Sequence, residues 1–192
     1  MQNGVEKQMA LTDRRIRGAV EIALAAVLIT VCSWITVPIP SVPFTLQIFG
    51  VYAAIFTLGG LKGTLSVALY IGLGLVGVPV FSGFKPGLPA LLGPTGGYIW
   101  GFLLSALFCR LAEAVLIKKP TALKTLAAAF VSLLLCYAFG TGWFVYVYTR
   151  NVGGIGVWTA LTLCVLPYII PDVLKILGAY KLAQIVKKRV DL

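Results

Sequence analysis

A chain of 192 residues with 59% hydrophobic and only 11% charged residues, and a mean hydropathy of +0.97, cannot clothe a soluble core with a water-facing shell. Its formal net charge of +10 has no soluble face on which a nucleic-acid footprint would sit, so membrane lipid is expected as solvent and nucleic acid is not expected as a partner. The class this implies is an all-α integral membrane protein of six transmembrane helices, built as one membrane domain over residues 1–192.

Residues 1–17 read as a polar, cytoplasmic N-terminal lead containing Arg14, Arg15 and Arg17. The first apolar run, 18–37, is longer than the core of a secretory signal and lacks a clear small-residue cleavage site, so it is expected to be helix 1 of a bundle over 18–186. Its small residues Ala19, Ala23 and Ala26 allow another helix to come close, within the chain or from a partner. Glu21 follows Arg17 by four and Glu113 follows Arg110 by three, and both are expected to be interface anchors.

Three prolines between Val37 and Pro43 forbid helix and favour a stiff, extended path across one side. Apolar runs at 46–61 and 64–80 follow as helices 2 and 3. The next connection, 78–98, is rich in Gly and Pro yet carries Phe81, Phe84, Leu88, Leu91 and Leu92. Lipid cannot satisfy irregular backbone, so this apolar connection is expected to tuck against the bundle as an extracellular lid over a cavity.

Helix 4, 93–117, opens with Gly93-Pro-Thr-Gly-Gly-Tyr-Ile-Trp-Gly101. Gly96 and Gly97 would let a ligand approach free backbone N–H groups, with Tyr98 and Trp100 as aromatic walls; close helix packing is the alternative reading. A polar break at 118–124 separates helices 1–3 from helices 4–6, the last two at 123–148 and 167–186, with a cytoplasmic tail at 187–192. Six passes put Arg14, Arg15, Arg17, Lys62, Lys118, Lys119, Lys124, Lys187, Lys188 and Arg189 on one side and only Lys85 and Arg150 on the other. The positive-inside rule then places both termini in the cytoplasm.

Helix 6 contains the ionisable pair that a membrane interior marks as functional, Asp172 and Lys175. Charges at such depth persist where a partner or a polar cavity compensates them. Pro171 suits a first helical turn, Asp172 is favoured by the dipole there, and the i, i+3 spacing puts both side chains on one face. The pair either neutralises itself structurally or faces a cavity, and both can hold together.

Catalytic and metal-binding constellations are not found: the chain has no His, no HExxH, no GxSxG and no P-loop Gly-Lys-Ser/Thr. Cys32, Cys109, Cys136 and Cys164 lie singly in apolar surroundings and read as buried structural thiols. No catalytic residue, metal site or resident cofactor is expected. A membrane enzyme using Asp172 and Lys175 as acid and base is the competing class.

The order and spacing of Val42-Pro-Phe-Thr-Leu-Gln47, Val76-Gly-Val-Pro-Val-Phe81, Gly93-Pro-Thr-Gly-Gly-Tyr98 and Pro167 to Lys175 resemble the BioY family, the biotin-binding S components of energy-coupling factor (ECF) vitamin transporters. The family commonly reads Pro-Gly-Asp before its helix 6 lysine, where this chain has Ile170-Pro171-Asp172. The resemblance implies a prokaryotic plasma-membrane subunit that captures biotin outside the cell, although another small vitamin is an alternative ligand. It also implies a transmembrane coupling subunit and two cytoplasmic ATPases as partners, so ATP is used only by partner subunits. Docking would use the stripe Ala19, Ala23 and Ala26. The ligand would meet Lys175, near its carboxylate, Asp172, Tyr98, Gly97, Gly96, Gln47 and Phe44, beneath a connection at 78–95 that closes over it.

Overall fold

The computed structural model describes residues 2–39, 42–116 and 121–189, with all their side chains except those of 2–11 and 116. The break at 118–124 and the tail at 187–192 therefore fall partly outside the described residues, as do Lys118 and Lys119 of the charge asymmetry. Helix α1 runs over Gln2–Trp34 without interruption. The polar lead is thus continuous with the first apolar helix, because no proline occurs before Pro38 to separate them.

The proline-rich connection turns back on itself instead of running on as an extended path across one side. Strands β1, Thr36–Val37, and β2, Phe44–Thr45, pair antiparallel with Thr36 opposite Thr45 and Val37 opposite Phe44. Proline cannot donate to a ladder, and Pro38 and Pro43 accordingly flank the paired residues. These two short strands are the departure from an all-α chain.

Helix α2, Gln47–Leu75, contains the second and third apolar runs. Gly59 sits inside it at φ 81° and ψ 166°, a conformation available to glycine and not to a helix. The 47–58 limb and the 60–75 limb fold back on one another there. Gln47 Nε2 donates to Tyr70 Oη at 2.6 Å, although 23 residues of straight helix would hold them about 34 Å apart. Between the limbs, a Cβ built on Gly63 would stand 2.6 Å from Ile55 Cα, so the two backbones touch through this glycine.

After the second limb the chain leaves helix at Gly77, φ 102°, just before Pro79. A 3-10 turn at Ser82–Phe84 and helix α3, Gly87–Leu92, then lead into α4, Gly96–Leu111, which widens into a π-turn at Ala112–Leu116. Helix α5, Ala122–Asn151, starts on Thr121, whose side chain accepts from Lys124 N. A short helix not anticipated from sequence, α6, Val157–Cys164, precedes a 3-10 turn at Leu166–Tyr168 and α7, Ile169–Arg189. Pro167 lacks the N–H that would continue α6, so the two helices remain distinct.

The interior is organised on the first limb of α2, where Gly50 to Phe56 are all buried between α1, α4 and α7. Helices α4 and α5 meet through small residues: a Cβ on Gly101 would lie 2.7 Å from Cys136 Sγ, and one on Gly140 would lie 2.2 Å from the Tyr98 ring. Polar groups here are paired, with Ser105 Oγ of α4 donating to Ser132 O of α5 at 2.8 Å and Tyr52 Oη of α2 donating to Ala129 O of α5 at 3.0 Å. Among the described residues, five helical spans are long and apolar enough to cross a membrane, counting α2 as one and Val157–Arg189, which includes α6 and α7, as one. Val20, Leu24 and Val27 of α1 and Leu134 of α5 point outward, as side chains facing lipid do.

Gly63→Ala is expected to destabilise the fold by about 1–3 kcal/mol through overpacking against the Ile55 backbone. Gly72→Ala, which meets nothing within 4 Å, serves as its control. Thermal unfolding in detergent compares them, and equal midpoints would mean that the limbs of α2 do not touch here.

Candidate binding site

A cavity of about 850 Å³ opens between the β hairpin, the 78–95 connection, and helices α4, α5 and α7. Its inner end is ionic. Lys175 Nζ donates to Asp172 Oδ1 at 2.8 Å, and both residues are buried, 8% and 2% exposed. Asp172 lies in the first turn of α7, where the helix dipole favours its charge, and Lys175 follows one turn later on the same face.

Two other elements complete the pair. Tyr137 of α5 donates its hydroxyl to Asp172 Oδ2 at 2.6 Å, so each carboxylate oxygen has a donor. The Lys175 ammonium stands 3.9 Å from the centroid of the Phe44 ring in β2, a cation–π contact sheltered from water. Phe44 in turn stacks on Tyr168 at 6.2 Å between centroids, and Tyr168 Oη donates to Val42 O. Lys175 keeps further N–H donors on a side chain that lines the cavity.

Beside the pair, Gln47 Oε1 accepts from Thr45 Oγ1 at 3.1 Å while its amide is held by Tyr70. Tyr98 Oη and Thr141 Oγ1 are 3.1 Å apart on the neighbouring wall. Phe81, Ile99 and Phe102 add apolar surface to the lining. The arrangement suits a small molecule with an apolar middle and a polar end rich in both donors and acceptors.

The 78–95 connection forms the outer wall and is tied at both ends. Ser33 Oγ donates to Val80 O, Trp34 Nε1 donates to Pro79 O at 3.0 Å, and Trp143 Nε1 donates to Gly93 O at 3.0 Å. Lys85, Pro86 and Pro89 of this connection face the cavity.

Of the residues singled out from sequence, Asp172, Lys175, Gln47 and Tyr98 converge on the cavity. Phe44 stands behind Lys175 and is not part of the lining. Gly96 and Gly97 do not line it either: a Cβ on Gly96 would fall 1.9 Å from Leu91 O, and one on Gly97 would fall 2.3 Å from Trp143 Cβ. Their small size serves packing. Gly96 N and Tyr98 N already donate within the turn, to Gly93 O and Thr95 O, so an open row of N–H groups is not presented. Trp100 also lies away from the cavity lining.

The alanine stripe of α1 is divided. Ala19 and Ala23 are exposed, but Ala26 is 1% exposed and belongs to the core. The stripe runs along the flank of the face that packs on α2, and Ala26 is covered there. Arg17 and Lys62 both reach Glu21, at 3.1 and 2.5 Å, which makes Glu21 a tie between α1 and α2. Glu113 Oε2 likewise accepts from Gly60 N at 2.6 Å at the α2 turn.

Sequence reasoning missed Tyr137 and Tyr168, whereas Thr45 lies within the Phe44–Gln47 segment expected at the site. A phenol in the middle of an apolar helix needs a hydrogen-bond partner, which marks Tyr137 as worth attention. Its partner lies 35 residues away, and no periodicity connects them. Cys136 and Cys164 are buried as expected and also border the cavity.

The family model for the BioY family matches residues 5–192. A protein of Thermotoga maritima described as "Biotin transporter BioY" is 36% identical over 173 residues, 90% of this chain and 97% of that protein. A "Probable biotin transporter BioY" of Pyrococcus horikoshii is 38% identical over 163 residues, 85% of this chain and 91% of that protein. Among solved structures, the crystal structure of the S-component for biotin from an ECF-type ABC transporter superposes with a TM-score of 0.78 at 24% identity, covering 91% of this chain and 93% of that one. That likeness establishes a shared fold.

Replacing Lys175 alone by Met leaves a buried carboxylate without its counter-ion and is expected to destabilise the protein by about 3–5 kcal/mol. The double variant Asp172→Asn/Lys175→Met removes both charges and is expected to regain much of that loss. Thermal unfolding of the three proteins checks this, and a double variant no more stable than the single would contradict a mutually compensating pair.

Proposed function

This chain belongs to the BioY family, and from that premise we propose that it is a substrate-binding membrane subunit, an S component, that captures biotin for import. The observation that carries the reading is the buried Asp172–Lys175 ion pair on the wall of a cavity large enough for a vitamin. The names of the relatives support transport over the competing enzyme class.

Biotin combines a carboxylate, an apolar thiophane ring and a ureido group with two N–H donors and one carbonyl. The cavity combines apolar surface from Phe81, Ile99 and Phe102 with the polar groups of Gln47, Tyr98, Asp172 and Lys175, in keeping with such a molecule. Asp172 and Lys175 together hold one polar end, Gln47 and Tyr98 stand beside it, and Phe44 fixes the lysine from behind. The 78–95 connection acts as the extracellular lid and admits the ligand by opening.

Import energy comes from partners: a transmembrane coupling subunit and two cytoplasmic ATPases, because the chain itself has no P-loop. Both termini lie in the cytoplasm of a prokaryotic cell. The exposed small residues Ala19 and Ala23 offer the coupling subunit a close approach on α1.

Calorimetric titration of the purified protein in detergent tests the reading. Saturable, one-to-one binding of biotin without chemical change is expected. Asp172→Asn is expected to weaken binding by about tenfold or more, since hydrogen bonds to a charged group are worth roughly 1.5–3 kcal/mol. Wild-type protein that bound no biotin would refute the assignment, and an Asp172→Asn variant with unchanged affinity would remove the pair from the site.

A further inference from the structure

Three ionic side chains line the cavity, and they are unequally distributed. Asp172 and Lys175 are buried at the inner end and cancel each other, whereas Lys85 is exposed on the outer wall. Among the described residues, no carboxylate lies within ion-pair distance of Lys85. The cavity is therefore neutral at its depth and positive at its mouth.

From this asymmetry we propose that Lys85 is the receptor for the ligand's carboxylate and a specificity determinant for acids, with the ureido end bound inward at Asp172 and Lys175. This rests on the biotin reading above and decides the orientation that the reading leaves open. A carboxylate brought beside Asp172 would meet a like charge and leave the buried cluster with a net charge of −1, which a poorly solvated site strongly disfavours. A ureido group brings no charge. Its N–H groups donate to a carboxylate that already holds two donors but has lone pairs to spare, and its carbonyl accepts from an unused Lys175 N–H.

At the mouth the opposite holds. A carboxylate there keeps much of its hydration and gains an ammonium partner. The turn bearing Lys85 is also held in place: Phe81 N donates to Lys85 O at 3.3 Å, Phe84 stacks on Trp34 at 5.0 Å, and Ser82 Oγ lies 3.1 Å from Thr36 Oγ1. Lys85 is thus presented at the rim by a turn anchored to α1. This orientation is the opposite of one in which Lys175 meets the carboxylate, and it follows from the charge of Lys175 being already matched by Asp172.

The experiment compares affinities for biotin and for biotinamide, its uncharged counterpart, by calorimetry at low ionic strength. Wild type is expected to prefer the acid by about two- to fivefold, the size of an exposed ion pair, with the preference declining as salt is added. Lys85→Gln is expected to bring the ratio close to one, Lys85→Glu to reverse it and Lys85→Arg to retain it. Biotinamide binding should be little changed across the series, which also verifies that each variant is folded. An acid preference that persists in Lys85→Gln, or is absent from wild type, overturns the assignment to Lys85. Wild type that binds neither compound instead overturns the biotin reading on which it depends.

Discussion

A carboxylate and an ammonium 2.8 Å apart inside an apolar bundle are the constraint on which the site depends. Moving either charge out of water costs several kcal/mol, and mutual attraction offsets this only when the remaining hydrogen-bonding capacity is also met. Tyr137 meets it for Asp172 and the Phe44 ring shelters Lys175. These partners come from α5 and from the β hairpin, so the cost of burying two charges is recovered only when α5, α7 and the hairpin are assembled together. The same assembly creates the cavity. Stability and the form of the cavity are consequently coupled at one point, and a change at Asp172 or Lys175 bears on both.

Close packing elsewhere makes that convergence possible. The seam between α4 and α5 is tight enough that Gly97 lies under Trp143 and Gly140 lies under Tyr98. Tyr98 is thereby pressed into the wall of the cavity and its hydroxyl reaches Thr141. The fold-back of α2 at Gly59 performs a similar service, bringing Gln47 next to Tyr70 and fixing the amide beside the ionic pair. Glycines that look in sequence like a ligand-binding loop act as spacers that set where the functional side chains stand.

The outer wall differs in kind from the inner end. It is a 3-10 turn and the short helix α3 joined by irregular backbone, tied at its ends by side-chain hydrogen bonds from Ser33, Trp34 and Trp143 and in its middle by the stacking of Phe84 on Trp34. The two parts of the cavity also differ in charge, with a buried, paired Asp172 and Lys175 at one place and an exposed Lys85 at another.

Membrane residence, helical class and the importance of Asp172 and Lys175 were legible in the residues alone. Each follows from a local cost: apolar runs need lipid, and a charge within such a run needs a reason. Gln47 and Tyr98 could also be named from their motifs, and both reach the cavity. The roles of Gly96, Gly97 and Ala26 were not legible, since a small residue has the same local signature whether it admits a ligand or a neighbouring helix. The placement of Tyr137 and Lys85 depended wholly on tertiary structure, because what they adjoin is distant in sequence: the Asp172 carboxylate for one, and the cavity shared with α7 for the other. Sequence by itself determined what had to be buried and what that burial would cost; only the folded chain decided which partners compensate it, because those partners meet through space.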